Sequence, residues 1–254
     1  MTIWIDPPAW PAHDRLWSHL ISDSSVEELH AFAARAGVPA RGFEGDHYDI
    51  PQERYAAAVA LGAQVTASAN IVRLLQDSGL RLRKRKGERG IARVLGVSFP
   101  DGSRADVDFV RGTRPTPDAA TFAATVYVRD AADNWLLVWS RRRQEWSAPG
   151  GWREPGETVV ETACRETREE TGVVLDPSRL RPVAYERFHP LQDGAPWPVP
   201  GGLFLAVFQA EVAGVTPSVI GLPDEPATWC TRADALAKIE TAWWAPLARA
   251  VLSW

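Results

Sequence analysis

Three glutamates, Glu166, Glu169 and Glu170, stand three and four residues apart near the end of the stretch GWREPGETVVETACRETREETGV, which runs from Gly151 to Val173. On a helix this spacing stacks the carboxylates on one face. Each like-charged pair costs an isolated helix roughly 0.2–0.5 kcal/mol, and Glu169 and Glu170 also fall at the negative end of the helix dipole. Such a cluster calls for a compensating positive charge. A hard divalent cation with oxygen ligands meets that need, since Mg²⁺ characteristically takes one or two carboxylates while phosphate oxygens and water complete its shell. Arg165, four residues before Glu169, can hold that carboxylate without neutralising the whole cluster. The plainer reading of the same residues is an exposed acidic helix face.

The element that must carry them is well specified. Pro155-Gly156 turns the chain, Thr158 and Glu161 have capping-box spacing, and Gly172 suits a left-handed C-terminal cap. Val160, Ala163, Cys164 and Thr167 then form the stripe predicted to face inward.

Gly151, Glu157, the pair Arg165-Glu166, the pair Glu169-Glu170 and the pair Gly172-Val173 together resemble the Nudix box of the Nudix hydrolase superfamily. One position departs: Thr167 stands where the family usually has an aliphatic residue, which reads as a packing change. The resemblance implies an α/β/α sandwich with a mixed sheet and metal-dependent hydrolysis of a pyrophosphate linkage. The substrate class it implies is a nucleoside diphosphate linked to another moiety, whether nucleotide, nucleotide sugar or dinucleotide. It further implies Mg²⁺, with Mn²⁺ as the alternative, held by Glu166, Glu169, Glu170 and a carbonyl near Gly151. Glu169 or Glu225 would take a proton from the attacking water, and Arg165 and Glu157 would orient the carboxylates. Glu225 enters because the family frequently places an acid in the connection where Asp224 and Glu225 precede ATWCTRADAL, and it stands four residues before Trp229. Many relatives are dimers, so a homodimer is among the expectations.

The chain around this stretch has 254 residues, 45% hydrophobic and 24% charged, which describes a globular protein of one large or two ordinary domains. A formal charge of −4 does not advertise nucleic acid as the main partner. No apolar run of about eighteen residues occurs, and MTIWIDPPAWPAHD has prolines and acids where a signal peptide needs a basic and then an apolar stretch. A cytoplasmic location without membrane partners is expected, with Cys164 and Cys230 both reduced.

Residues 1–85 read as a small α/β domain. Thr2 to Ile5 predict a strand, Ser24 and Glu27 a capping box before VEELHAFAARA, Pro51 the start of a second helix that Gly62 closes, residues 63–66 a strand, and Asn70 to Asp77 a third helix. Four of the five histidines, His13, His19, His30 and His47, fall here; His47 sits between Asp46 and Asp49, and Asp23 follows His19 by four residues. Those residue types can make a metal or phosphate site, although caps, core hydrogen bonds and surface positions account for most such histidines. WIDPPAW, LWSHLISD, EELHAFA and GDHYDIP resemble a bacterial and phage family of unknown function, which adds a boundary and no mechanism. The basic run Arg81 to Lys86 can meet a nucleic-acid backbone or serve as a solvated connector.

Residues 86–114 read as a connector that turns strand-like from about residue 91, and residues 115–254 as the hydrolase domain. TFAATVYVRD and NWLLVWS predict a hairpin, and RPVAYERFH and LFLAVFQAEV two further strands separated by a long loop. In the resembled family a basic residue after the hairpin often reaches substrate phosphate, which makes Arg141, Arg142 and Arg143 substrate-binding candidates. Trp197, Phe188 and Tyr185 are candidates to stack on a nucleobase, and Trp243 and Trp244 to fill the core. Pro190 falls near a proline of the family's adenosine-diphosphate-ribose hydrolases. A different class of function stays open: a nucleotide sensor whose N-terminal domain binds nucleic acid or a protein, or an N-terminal enzyme acting in series with the hydrolase.

Overall fold

The computed structural model describes residues 1–213 and 216–254. Two compact units make up the chain, Met1–Arg93 and Val94–Trp254.

The N-terminal unit is built from β1 (Ile3–Ile5), β2 (Trp10–Ala12), β3 (Arg15–Ser22), α1 (Val26–Arg35), β4 (Tyr48–Pro51), α2 (Gln52–Ala60), β5 (Gln64–Val65) and α3 (Ser68–Asp77). β3 organises the sheet: β1, β2 and β4 all pair with it antiparallel, and β5 pairs parallel with β1. His13 and Asp14 both adopt positive φ between β2 and β3, as a two-residue hairpin turn of matching twist requires. Ile3, Ile5, Leu20, Ile50 and Tyr48 form a core with Leu29, Phe32 and Ala33 of α1.

Two expectations shift here. The cap of α1 is Ser25, whose side chain accepts from Glu28 N, because Ser24 instead donates to Asp23. Asp23 is not the partner of His19: on a strand four residues span roughly 13 Å, and Asp23 accepts from Thr2 N and the Trp4 indole.

The C-terminal sheet takes in β6 (Arg89–Ser98), β7 (Arg104–Arg111), β8 (Thr121–Arg129), β9 (Asn134–Ser140), β10 (Glu145–Ser147) and β11 (Gly150–Trp152). Then follow α4 (Val159–Thr171), β12 (Arg181–Pro190), β13 (Phe204–Glu211), β14 (Ala227–Thr231), α5 (Arg232–Lys238) and α6 (Ala245–Leu252). The strand order is β10-β9-β8-β13-β12-β7-β6, with β11 on β8 and β14 on β9. The sheet is mixed, since β8 runs parallel to β13 and antiparallel to β11.

Residues 86–114 are therefore not a connector. β7 pairs with β12 from Ala105↔Pro190 to Arg111↔Ala184, and Asp108, fully buried, accepts from Arg187 at 2.8 Å and lies 2.8 Å from His189 Nε2. The hairpin between β8 and β9 keeps a single paired position, Arg129↔Trp135, after which the strands part. That splaying leaves room for β11 along β8 and β10 along β9, while β14 pairs with the other edge of β9. Alternation along β8 then separates two faces. Ala124, Val126 and Val128 join the core with Ala163 of α4, while Ala123 and Tyr127 line a cavity.

Candidate active site

α4 is fixed at both ends as its residues dictate. Thr158 and Glu161 form a reciprocal capping box, and Gly172 closes the helix at φ 73°. Ala163 and Thr167 are fully buried, with Val160 and Cys164 packed more loosely against the same core. The Thr167 hydroxyl donates to Ala163 O at 2.8 Å, so the polar atom in the core slot is satisfied within the helix.

β11 lies close to this helix on one side and to β8 on the other. A Cβ on Gly151 would stand 2.5 Å from the Glu166 carboxylate, and one on Gly150 would stand 2.4 Å from Ala124 O. Arg165 is the hub. Its Nε donates to Glu157 Oε1 at 2.7 Å, and one terminal nitrogen donates to Glu166 Oε1 at 2.8 Å and Glu169 Oε2 at 3.1 Å. The other terminal nitrogen donates to Trp152 O at 2.9 Å and Glu157 Oε2 at 3.1 Å. Glu157 is held in turn by Glu154 N and the Thr162 hydroxyl, both at 3.0 Å. With Arg165 against it, the Glu157 carboxyl is pulled down to about 2.

The three glutamates have separate partners. Glu166 and Glu169 share Arg165, whereas Glu170 Oε2 accepts from Gly150 N at 2.9 Å. Burial raises the Glu170 carboxyl to about 7, opposed by the Gly150 hydrogen bond and reinforced by the charges of Glu166 and Glu225. Burial also raises Glu166, with Arg165 pulling against it and Glu169 and Glu157 adding to it.

Glu166, Glu170 and Gly151 line one cavity of about 680 Å³ together with Arg142, Arg143, Trp197 and Glu225. Glu169 and Arg165 stand outside that lining, as does Arg141, which is exposed and pairs with Asp224 at 3.2 Å. Glu225 arrives on a tight turn in which its N–H donates to Leu222 O, and its Oε1 accepts from Arg141 N at 2.9 Å. Arg143 is engaged by Glu145 at 2.9 Å and the Ser147 hydroxyl at 2.8 Å.

Aromatic rings form another wall. Trp197 donates its indole N–H to Gly202 O at 2.7 Å and packs against Phe99, Phe122 and Phe188. Phe188, Trp243 and Trp244 also face the cavity, so the two tryptophans serve both packing and lining. Tyr185 does not line it; it is buried against Phe204 on the opposite side of β12. Glu186 is the residue missed from sequence. It is 6% exposed on the cavity wall, and burial raises its carboxyl to about 8. The available signal was the alternation of β12, which puts Glu186 on the face of Ala184 and Phe188.

The residues fit a hard divalent cation. Two carboxylates driven toward their neutral forms by burial and by each other's charge sit beside a glycine backbone, and this donor set is all oxygen.

Residues 3–78 match the family described as "Protein of unknown function (DUF4031)". YjhB of Bacillus subtilis (strain 168), provisionally named an ADP-ribose pyrophosphatase, is 28% identical over 136 residues, covering 49% of this chain and 64% of YjhB. YvcI of the same organism, named a Nudix hydrolase, is 45% identical over 51 residues, or 20% of this chain and 32% of YvcI. This chain thus spans less than two thirds of either relative. An Ap4A hydrolase structure from C. elegans is similar at 24% identity and a TM-score of 0.38, covering 52% of this chain and 96% of that one. Residues 120–252, just over half of the sequence, match the family model described as NUDIX domain, and the chain belongs to that family.

Proposed function

We infer that the C-terminal unit is a pyrophosphohydrolase that cleaves the linkage of a nucleoside diphosphate joined to another moiety, with Mg²⁺ as its metal and Mn²⁺ as a substitute. The observation that carries this reading is the Arg165 hub, which braces Glu157, Glu166, Glu169 and the Trp152 carbonyl behind the wall where Glu166 and Glu170 meet the cavity.

Glu166, Glu170 and the Gly151 carbonyl would hold the cation. When bound, it supplies charge neutralisation at the phosphate oxygens and a lowered pKa for the attacking water. The chain's own residues do the rest. Arg165 and Glu157 keep Glu166 and Glu169 in orientation, since a guanidinium fork bound to several carboxylates has little freedom left. Of the two proton acceptors considered, Glu225 lines the cavity and Glu169 does not. Glu225 Oε1 is occupied by Arg141 N, so Oε2 is the atom left to take a proton from water. Arg142 and Arg143 bring positive charge to the same cavity for the phosphates. Phe188, Trp197 and Trp243 offer an apolar wall for a base or ribose, and a neutral Glu186 carboxyl offers one donor and one acceptor.

The test is turnover by the purified chain with Mg²⁺ across ADP-ribose, nucleotide sugars, dinucleoside polyphosphates and nucleoside triphosphates. Cleavage in water enriched in ¹⁸O is expected to place the label on a phosphate product. Label on a carbon-bound hydroxyl, or no cleavage of any member, contradicts the reading.

A further inference from the structure

A second cluster of ionisable side chains lies in the N-terminal unit, where the Nudix chemistry has no part. It follows from strand register. His19 on β3 stands directly opposite Asp49 on β4, and His47, two residues before Asp49, falls on the same side of its chain. The rings of His19 and His47 are 5.4 Å apart, centre to centre.

Each imidazole is held from behind by a buried carboxylate. His19 Nδ1 is 3.1 Å from Asp6 Oδ2, and His47 Nδ1 is 2.5 Å from Asp46 Oδ1; both aspartates are only 1% exposed. The carboxylates are themselves anchored. Asp6 Oδ1 accepts from His19 N at 2.5 Å, and Asp46 Oδ2 accepts from Arg81 at 3.0 Å and Leu82 N at 2.8 Å. This takes up part of the basic run, in which Lys84 also pairs with Glu44 and Arg85 with Glu88. A carboxylate accepting at Nδ1 turns Nε2 outward, the arrangement that orients histidine ligands in metal sites.

The three front atoms converge. Ligand atoms of His19, His47 and Asp49 all lie within 4.8 Å of one another, the one such set of three among the described residues. His47 Nε2 and Asp49 Oδ1 are 3.5 Å apart. Ligands about 2.0–2.1 Å from a tetrahedral ion are separated by about 3.3 Å. The cluster opens on a cleft of about 700 Å³ whose wall also carries Arg15, Arg41 and Arg54, together with Lys84 and the Glu44 it pairs with.

We propose that His19, His47 and Asp49 bind a divalent ion of the zinc class, positioned by Asp6 and Asp46, with an open coordination position facing the cleft. Two nitrogens and one oxygen suit Zn²⁺ and Co²⁺ better than Mg²⁺, which prefers oxygen alone. The basic wall makes an anion such as phosphate the class of ligand that completes the site.

The experiment uses the full chain carrying Glu166→Gln and Glu170→Gln, which removes donors of the Nudix centre. The protein is stripped with chelator and titrated with Co²⁺ and then Zn²⁺ in millimolar Mg²⁺, following the visible spectrum and the zinc content per chain. One tightly held ion is expected, with the cobalt bands of a four- or five-coordinate site. Adding His19→Gln or Asp49→Asn is expected to weaken binding by more than ~10-fold, and Asp6→Asn by roughly 10–100-fold. Asp49 has a side chain 41% exposed, so its substitution tests binding without disturbing the core. A chain that holds no ion before these additions overturns the proposal. So does zinc affinity left unchanged by both His19→Gln and Asp49→Asn, which would make the cluster an ion-pair network only.

Discussion

Arg165 Nε and Glu157 Oε1 lie 2.7 Å apart, and through this contact the loop before α4 is tied to the acidic end of the helix. The same guanidinium reaches Glu166, Glu169 and the Trp152 carbonyl. Its planar fork, and not its charge alone, is what lets one residue serve four partners.

Arg165→Lys keeps the charge and loses the fork. It should lower kcat by roughly 10–100-fold, the usual cost of losing an outer partner of a metal ligand, while leaving KM within a few-fold. Steady-state kinetics on the substrate found by the panel checks this; a change confined to KM would place Arg165 in substrate binding instead.

Glu186 gives a pH dependence. Its folded carboxyl is raised to about 8 from an ordinary value of 4.5, so the folded state binds the proton more tightly than the unfolded state. The contribution is fully present below 4.5 and is lost as pH rises through 8. Glu186→Gln should therefore melt progressively higher than the parent chain as pH rises from 4.5 through 8, with little difference below. A constant offset across that range, measured by thermal melts, would mean that titration of Glu186 is not the cause.

Thr167 departs from the aliphatic residue usual at its position, yet its hydroxyl has a partner in its own helix. Thr167→Val removes no partner that another group depends on and preserves side-chain shape. The change in unfolding free energy should stay within about 1.5 kcal/mol, the net worth of one ordinary hydrogen bond, with kcat unaltered. Denaturant melts and kinetics would reveal a larger role.

The domain boundary can be tested by truncation. A fragment of residues 89–254 retains β6 and β7 and should melt cooperatively. A fragment of residues 115–254 lacks the strand paired to β12 and loses Asp108 from Arg187 and His189. It should aggregate or show no cooperative melt, and normal folding would restore residues 86–114 to the status of a connector.

What could be read from the chain was local. The capping box of Thr158 and Glu161, the Gly172 cap and the stacked glutamates all lie within one helix, where spacing alone decides geometry. What escaped depended on strand pairing. Glu186 shows its placement only once β12 is known to turn one face to the cavity, and Asp108 only once β7 is known to lie beside β12. The histidines were visible as residue types, but Asp6 behind His19 is thirteen positions away and is brought there by pairing of β1 with β3. Ser25 displaced Ser24 as a cap because the neighbouring acid Asp23 claimed the Ser24 hydroxyl, a competition that spacing does not reveal.

The most direct test of the central claim is hydrolysis by the intact chain compared with its Glu170→Gln variant, with and without Mg²⁺. Glu170 lines the cavity, and its exchange for glutamine keeps shape while removing a charged oxygen donor. Turnover that requires the metal and falls at least ~100-fold in the variant, more than the loss of an outer partner alone would cause, is the predicted result. Turnover that persists in Glu170→Gln at the parent rate, or that is indifferent to chelation of Mg²⁺, would contradict the account.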